Sequence, residues 1–150
     1  MHKHLIYQRE GIYKADFPEF CSYGPVCWED PLKWQGVIFG PPYSPYEGGV
    51  FFLSIDLPQD YPSKPPTIKF TTKVFHPNID NEGTVYVDIL EEEHWKPIHT
   101  IESLLVSICS LLWDPDPLGN FNDSCVLYRD DREEYYKVAR EWTRKYATLE

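Results

Sequence analysis

The sequence predicts an α+β domain with an N-terminal helix, a four-stranded antiparallel meander, an irregular segment and C-terminal helices. Three observations predict it: a helical apolar repeat near the start, strand-like runs separated by short turns, and longer helical repeats near the end. The 150 residues fit one domain, 1–150. A domain of this length buries roughly 70% of the surface that its unfolded chain exposes, so its core is stable without a metal or a disulfide.

The first helix is predicted over residues 2–14. Its apolar residues recur seven apart, Leu5 with Ile12 and Ile6 with Tyr13, and therefore share one face. A proline a few positions later marks the end of this helix.

The middle of the chain is predicted to form the sheet. Apolar runs at 34–39, 50–57 and 67–71 are bounded by proline and glycine turns, and the last run is the predicted fourth strand. Short turns between successive strands are typical of an antiparallel meander. Residues 72–99 lack periodicity, and so long an irregular stretch in a compact domain indicates a functional segment.

Helical patterns return in the last third of the chain. Thr100 is a predicted N-cap, and the apolar stripe that follows it extends to residue 112. The prolines after Asp114 end this helix. Residues 118–128 are predicted to form a loop, and a last helix is predicted to begin near Asp130.

The charge of the chain limits its partners. The formal net charge is −10, so phosphate backbones and acidic membrane surfaces are repelled. We therefore expect no nucleic acid and no membrane as a partner. No window approaches the ~20 apolar residues of a membrane span. The partners that this charge favours are basic or neutral protein surfaces.

The cysteine pattern favours a reducing compartment. The chain contains Cys21, Cys27, Cys109 and Cys125, without the close paired spacing of a zinc site. We expect no metal and no other cofactor. Reduced thiols are typical of the cytoplasm or the nucleus. The chain opens on polar residues rather than an apolar run, so no secretory signal peptide is expected.

Several sequence segments are shared with a known family over nearly the whole chain. They are CSYGP (21–25), SPYEGGVFFL (44–53), DYP with KPP (60–66), FTT (70–72), FHPN (75–78), LVSICSLL (105–112) and AREWT (139–143). With these segments the chain resembles the ubiquitin-conjugating enzymes, and most closely their small D subgroup, which is the catalytic domain alone. The resemblance implies the ubiquitin-conjugating-enzyme fold and a role in protein ubiquitination.

The resemblance fixes the position of the family's nucleophile. In the family a His-Pro-Asn motif is followed by seven residues and then by the catalytic cysteine. Counting from His76 gives position 86, which is Tyr86 here. Gly83 and Asp88 keep their family places on either side, so the register is clear.

A tyrosine at this position changes the chemistry. The family accepts ubiquitin from an activating enzyme as a thioester and passes it to a lysine. A thiol has a pKa of about 8.5 and leaves easily, whereas a phenol has a pKa of about 10 and is a poorer nucleophile. We therefore expect no catalytic residue at Tyr86, whose hydroxyl should lie at the surface.

The remaining motif residues, His76, Pro77, Asn78 and Asp88, are then vestigial. His76 is expected to be buried and structural. Asn78 is expected to brace backbone groups rather than to act on a reacting oxygen.

Other departures fall on the family's partner surfaces. The resemblance implies ligase contacts at Ser63, where this subgroup often presents phenylalanine, and at Lys96, Pro97 and Ile98. Serine removes an aromatic anchor typically worth ~2 kcal/mol or more. The family's basic first-helix positions hold His4 and Gln8, and an acidic loop at 91–94 is one residue longer than the pattern.

Ser22 matches a position on the rear sheet surface where the family binds ubiquitin non-covalently. The leading hypothesis is a non-catalytic ubiquitin-conjugating enzyme variant that binds ubiquitin, an active conjugating enzyme or a ligase. A second hypothesis is an active enzyme that uses Cys125, which lies in the predicted loop near the active groove. A third is a scaffold without any ubiquitin contact.

Overall fold

The secondary structure of a computed structural model confirms the predicted α+β class. It describes residues 3–11, 19–91, 93–116 and 122–148. Within these residues, four antiparallel strands follow one α-helix and precede three others. In chain order the elements are α1 (Lys3–Arg9), β1 (Cys21–Cys27), β2 (Asp30–Phe39), β3 (Val50–Asp56), β4 (Thr67–Phe70), a 3-10 turn (Asp88–Leu90), α2 (Ile101–Trp113), α3 (Asp123–Asp130) and α4 (Arg132–Tyr146).

The sheet has the order β1-β2-β3-β4, so each strand pairs with its neighbour in the chain. Alternate residues point to opposite faces of a strand. On β3 the inward residues Phe51, Leu53 and Ile55 are fully buried, while Phe52 between them is half-buried. The inner face of the sheet therefore forms one wall of the hydrophobic core.

Helix α2 closes this core. Its buried residues lie along one stripe, as the sequence pattern predicts: Ile101, Leu104, Leu105, Ile108, Cys109 and Leu112. Thr100 is the N-cap, and its side chain accepts a hydrogen bond from the N–H of Ser103. The capping residue and the stripe together fix where α2 begins and which face it buries.

A buried carboxylate joins α1 to α2. Glu10 follows α1, and its side chain accepts hydrogen bonds of 2.6 Å from the Tyr61 hydroxyl and from the N–H of Ile101. Burial raises the pKa of Glu10 above its ordinary value. Arg9 lies 3.2 Å from the same carboxylate and donates to the carbonyl of His99. Helix α1 is thus held at the N-terminus of α2.

Two predictions about elements need correction. The predicted loop at 118–128 is wrong from Asp123 onward, because α3 occupies Asp123–Asp130, and its positions 118–121 lie outside the described residues. The predicted first helix, 2–14, is too long: α1 ends at Arg9, and Gly11 has a φ of 70°, which ends a helix. Positions 2 and 12–14 of that prediction lie outside the described residues.

The start of the last helix is shifted by about one residue. Asp131 is the N-cap of α4, and its side chain accepts from the N–H of Glu134. No helix in the described ranges is long and apolar enough to cross a membrane.

Candidate functional site

The segment that carries the His-Pro-Asn motif folds back on itself and onto β4. Ile79 bridges Val85, and the N–H of Tyr86 donates to the carbonyl of Asn78 at 2.7 Å. Gly83 has a φ of 90°, and a Cβ there would lie 2.1 Å from the Phe70 carbonyl oxygen. Only glycine fits this turn. The turn places residue 86 directly beside Asn78.

Tyr86 points its phenol away from the core. Its side chain is 49% exposed, and its hydroxyl donates to Oδ2 of Asp80 at 3.0 Å. The other oxygen of Asp80 accepts from the N–H groups of Glu82 and Thr84, both at 2.9 Å. The hydrogen bond to Asp80, together with the negative charge of that carboxylate, raises the pKa of Tyr86. The phenol is therefore protonated at neutral pH.

His76 is a buried, neutral part of this segment. Its Nε2 lies 2.6 Å from the Leu111 carbonyl, and its Nδ1 accepts from the N–H of Asn78 at 2.9 Å. These partners require the proton on Nε2. Burial lowers the pKa of His76 to about 4, so the ring carries no charge at neutral pH.

The side chain of Asn78 joins the motif to the loop after α2. Its Nδ2 donates to the Asp116 carbonyl at 2.6 Å, and its Oδ1 accepts from the Asp116 N–H at 2.9 Å. The amide is 2% exposed. This paired contact satisfies backbone groups that have no strand partner.

Cys125 lies on α3, not in the loop that the sequence suggested. It is fully buried, and its Sγ donates to the Pro77 carbonyl at 3.1 Å. The thiol therefore contacts the His-Pro-Asn motif on its buried side and has no access to solvent. A macromolecular substrate could reach it only if α3 moved away.

The structure brings together the two loops that hold the predicted ligase-contact residues. The indole Nε1 of Trp95 donates to the Pro62 carbonyl at 2.7 Å, next to the exposed Ser63. Lys96, Pro97 and Ile98 follow Trp95 and are exposed, Ile98 by 79%. The sequence comparison did not predict the Trp95 link. The only hint in the sequence is that a tryptophan directly precedes Lys96.

Ser22 lies on the outer face of the sheet. In the strand register it pairs with Val37, which pairs with Phe52, so the three form one row across the sheet. All three side chains are half-buried. The row is apolar except for the serine at its end. Of these three residues, the family resemblance predicted only Ser22 as a ubiquitin contact.

Asp88 is exposed at the start of the 3-10 turn, two residues after Tyr86. Within the described ranges, no group of three or more His, Cys, Asp or Glu side chains could hold a metal ion.

The family model described as Ubiquitin-conjugating enzyme matches residues 8–143. The chain belongs to the ubiquitin-conjugating enzyme family. Domains of this family interact with ubiquitin, with its activating enzyme and with ubiquitin ligases. The four-stranded sheet and flanking helices are those of the ubiquitin-conjugating fold, and the domain has a role in the ubiquitin conjugation pathway.

Proposed function

We propose that this domain is a non-catalytic ubiquitin-conjugating enzyme variant, which binds partners of the pathway without carrying ubiquitin as a thioester. One observation carries the proposal: the phenol of Tyr86 occupies the place of the family's thiol and is hydrogen-bonded to Asp80. The proposal includes a location in the cytoplasm or the nucleus, where the partners of the pathway and reduced thiols are found.

The ionisation of residue 86 supports the absence of transfer. At pH 7 about 3% of an ordinary cysteine is thiolate, whereas only about 0.1% of an ordinary tyrosine is phenolate. Asp80 raises the pKa of Tyr86 and lowers that fraction further. The phenol is also larger than the thiol that the family has at this position, and its hydroxyl is engaged with Asp80. Both effects oppose acyl transfer through this position.

The outer face of the sheet is the proposed ubiquitin contact. The row Ser22, Val37 and Phe52 offers apolar surface with a small residue at its edge, where a partner can approach closely. Phe39 and Val50 pair one row further along on the same face, and Phe39 is exposed. Exposed apolar surface of this kind favours a protein partner.

A ligase is the alternative partner. Ile98 is an exposed apolar residue on one of the two loops and Ser63 is exposed on the other, and the Trp95–Pro62 hydrogen bond joins the loops. Because Ser63 supplies no aromatic anchor, we rank this surface below the sheet face as a binding site.

A charging assay tests the absence of catalysis. The protein is incubated with activating enzyme, ubiquitin and ATP, and then run on a non-reducing gel. We expect no adduct that is released by thiols. Such an adduct, lost in Cys125→Ala, would show that the buried cysteine is the nucleophile and would overturn the proposal.

An NMR titration with unlabelled ubiquitin tests the sheet face. We expect shifts of the Ser22, Val37 and Phe52 amides, and loss of those shifts in Ser22→Lys. Ser63→Lys is the matched control, because it places the same charge on an exposed serine outside the sheet. An unchanged spectrum at millimolar ubiquitin would leave the third hypothesis, a scaffold without ubiquitin contact.

A further inference from the structure

A cavity of about 630 Å³ lies between the segment that follows β4, the turn at 79–83, and helices α3 and α4. Its volume falls within the range of about 300–1,000 Å³ that is typical of ligand sites. It shares no lining residue with the row Ser22, Val37 and Phe52, or with the Ser63 and Ile98 loops. His76 and Asp80 of the motif segment contribute to its lining, but the proposed ubiquitin contact on the sheet makes no use of it.

Aromatic rings form one wall of this cavity. The rings of Phe75 and Trp142 have centroids 5.3 Å apart. Each ring also packs on a further tyrosine. The ring centroids of Phe75 and Tyr135 are 6.1 Å apart, and those of Trp142 and Tyr146 are 5.5 Å apart. The wall is therefore fixed before any ligand arrives, which lowers the entropic cost of binding.

The charges in the lining are unbalanced toward the negative. Asp80, Glu82 and Asp123 contribute carboxylates, and Lys73 contributes the ammonium group. The Nζ of Lys73 lies 5.1 Å from the Tyr146 ring, at the α4 end of the cavity. His76, which also lines the cavity, is neutral because burial lowers its pKa. The field in the cavity thus favours a cation.

Two of the three carboxylates are available to a ligand. Asp80 already accepts hydrogen bonds from Glu82, Thr84 and Tyr86. The carboxylates of Glu82 and Asp123 are exposed and make no hydrogen bond or ion pair with another described residue. Both residues line the same cavity as the aromatic wall.

We propose that the cavity binds an arginine side chain of a partner protein. A guanidinium group is flat and weakly hydrated, so it stacks on aromatic faces, and its N–H groups match a carboxylate in pairs. The ammonium of lysine has neither the flat face nor the forked donors. The net charge of −10 attracts a basic segment of this kind from a distance. The inference is independent of the proposed ubiquitin contact on the sheet.

The test is an NMR titration with acetyl-arginine amide, compared with the uncharged acetyl-citrulline amide at the same millimolar concentrations. With the arginine probe we expect saturable shifts of the Trp142 indole N–H and of the Gly83 and Ser124 amides. We expect citrulline to bind at least about tenfold more weakly, since it lacks the charge. Equal shifts from the two probes would overturn the proposal.

Two charge-matched double variants separate the cavity from general attraction. Glu82→Gln with Asp123→Asn removes the unengaged carboxylates, and we expect at least about a tenfold loss of arginine affinity. Glu91→Gln with Glu93→Gln removes the same charge from the exposed loop, and we expect little change. Equal losses in the two variants would show that only the net charge matters. The shifts of Ser22 and Val37 with ubiquitin are read separately, so failure of one proposal leaves the other distinguishable.

Discussion

Tyr86 is held through its backbone as well as through its side chain. Its N–H donates to Asn78, and its hydroxyl donates to Asp80. Substitution of the side chain leaves the backbone contact in place, so residue 86 can be changed chemically without losing the turn. The chemistry of one side chain can therefore be tested apart from the partner surfaces.

Tyr86→Cys is expected to restore little ligase-dependent ubiquitin transfer. A thiol would return, but Ser63 would still lack the anchor, which is worth about 2 kcal/mol or roughly thirtyfold in affinity. Adding Ser63→Phe should then raise chain formation about tenfold or more. The measurement is ubiquitin chain formation with a RING ligase, with Tyr86→Phe as the control that has no nucleophile. Robust chains from Tyr86→Cys alone would show that the partner-surface changes are unimportant.

His76 should make the protein less stable in mild acid. Its pKa is about 4 when folded and 6.5 ordinarily, so between these values the unfolded chain binds a proton that the folded chain does not. The free energy of unfolding should fall by about 3 kcal/mol as the pH drops through this window, and the loss is complete below pH 4.

Urea unfolding over that pH range measures the effect. His76→Gln should remove this part of the slope, whereas His94→Gln, at an exposed position, should retain it. The raised pKa of Glu10 acts in the opposite direction, because stability is lost as the pH rises above 4.5. Because Glu10 is present in every variant, its contribution to the pH dependence cancels when the variants are compared. An identical slope in His76→Gln and the parent protein would contradict the assignment.

At the scale of elements, Asn122 connects α3 to the motif segment. Its Oδ1 accepts from the N–H of Cys125 as a helix cap, and its Nδ2 donates to the Ile79 carbonyl at 3.0 Å. Asp131 caps α4 in the same way, but its side chain bonds only within its own helix among the described contacts. The side chain of Asn122 therefore stabilises both α3 and the motif segment, whereas that of Asp131 stabilises α4 alone among the described contacts.

Asn122→Ala should therefore cost more stability than Asp131→Ala. Loss of an N-cap costs about 1 kcal/mol, and loss of the bond to Ile79 adds about 1 kcal/mol more. Thermal or urea unfolding of the two variants measures the difference. If Asp131→Ala were the more destabilising, the link between α3 and the motif would be energetically unimportant.

The sequence predicted long elements better than short ones. The stripe along α2 and its Thr100 cap were predictable because many apolar residues repeat with one period. Helix α3 was missed because it has only eight residues, and its buried residues Ser124, Cys125 and Tyr128 form too short a stripe. Its start depends on Asn122, whose amide also needs a partner that is distant in sequence.

The family resemblance gave a position for the candidate site, but not its contacts. The family's spacing from the His-Pro-Asn motif implies that Tyr86 stands at the position of the nucleophile. Its bond to Asp80 and the link from Trp95 to Pro62 depend on how separate loops meet. The periodicity of a sequence carries no information on contacts between loops that are distant in the chain.

At the scale of the whole molecule, three parts of the chain meet at one hydroxyl. Tyr46 precedes β3, and its O–H donates to the Phe75 carbonyl at 2.6 Å, just before the motif. Its oxygen lies 2.6 Å from the hydroxyl of Tyr135 on α4. Because the proton of Tyr46 is engaged with Phe75, Tyr135 is the donor of the second bond.

Tyr46→Phe should then be more destabilising than Tyr135→Phe, although each removes one oxygen. The first change leaves both a part-buried carbonyl and a buried O–H without their present partner, at about 2–4 kcal/mol. The second leaves Tyr46 bonded to Phe75 and should cost about 1 kcal/mol. Urea unfolding of the two variants gives the comparison. Equal losses would indicate the opposite proton order.

The burial of Cys125 has a practical consequence for labelling. Cys21 and Cys109 are also buried, and burial raises the pKa of the Cys109 thiol, whereas Cys27 is exposed at the end of β1. A maleimide dye added to the folded protein should therefore attach at Cys27 alone. The natural chain thus provides a single fluorescent attachment point, on the strand that also carries Ser22, without any mutation.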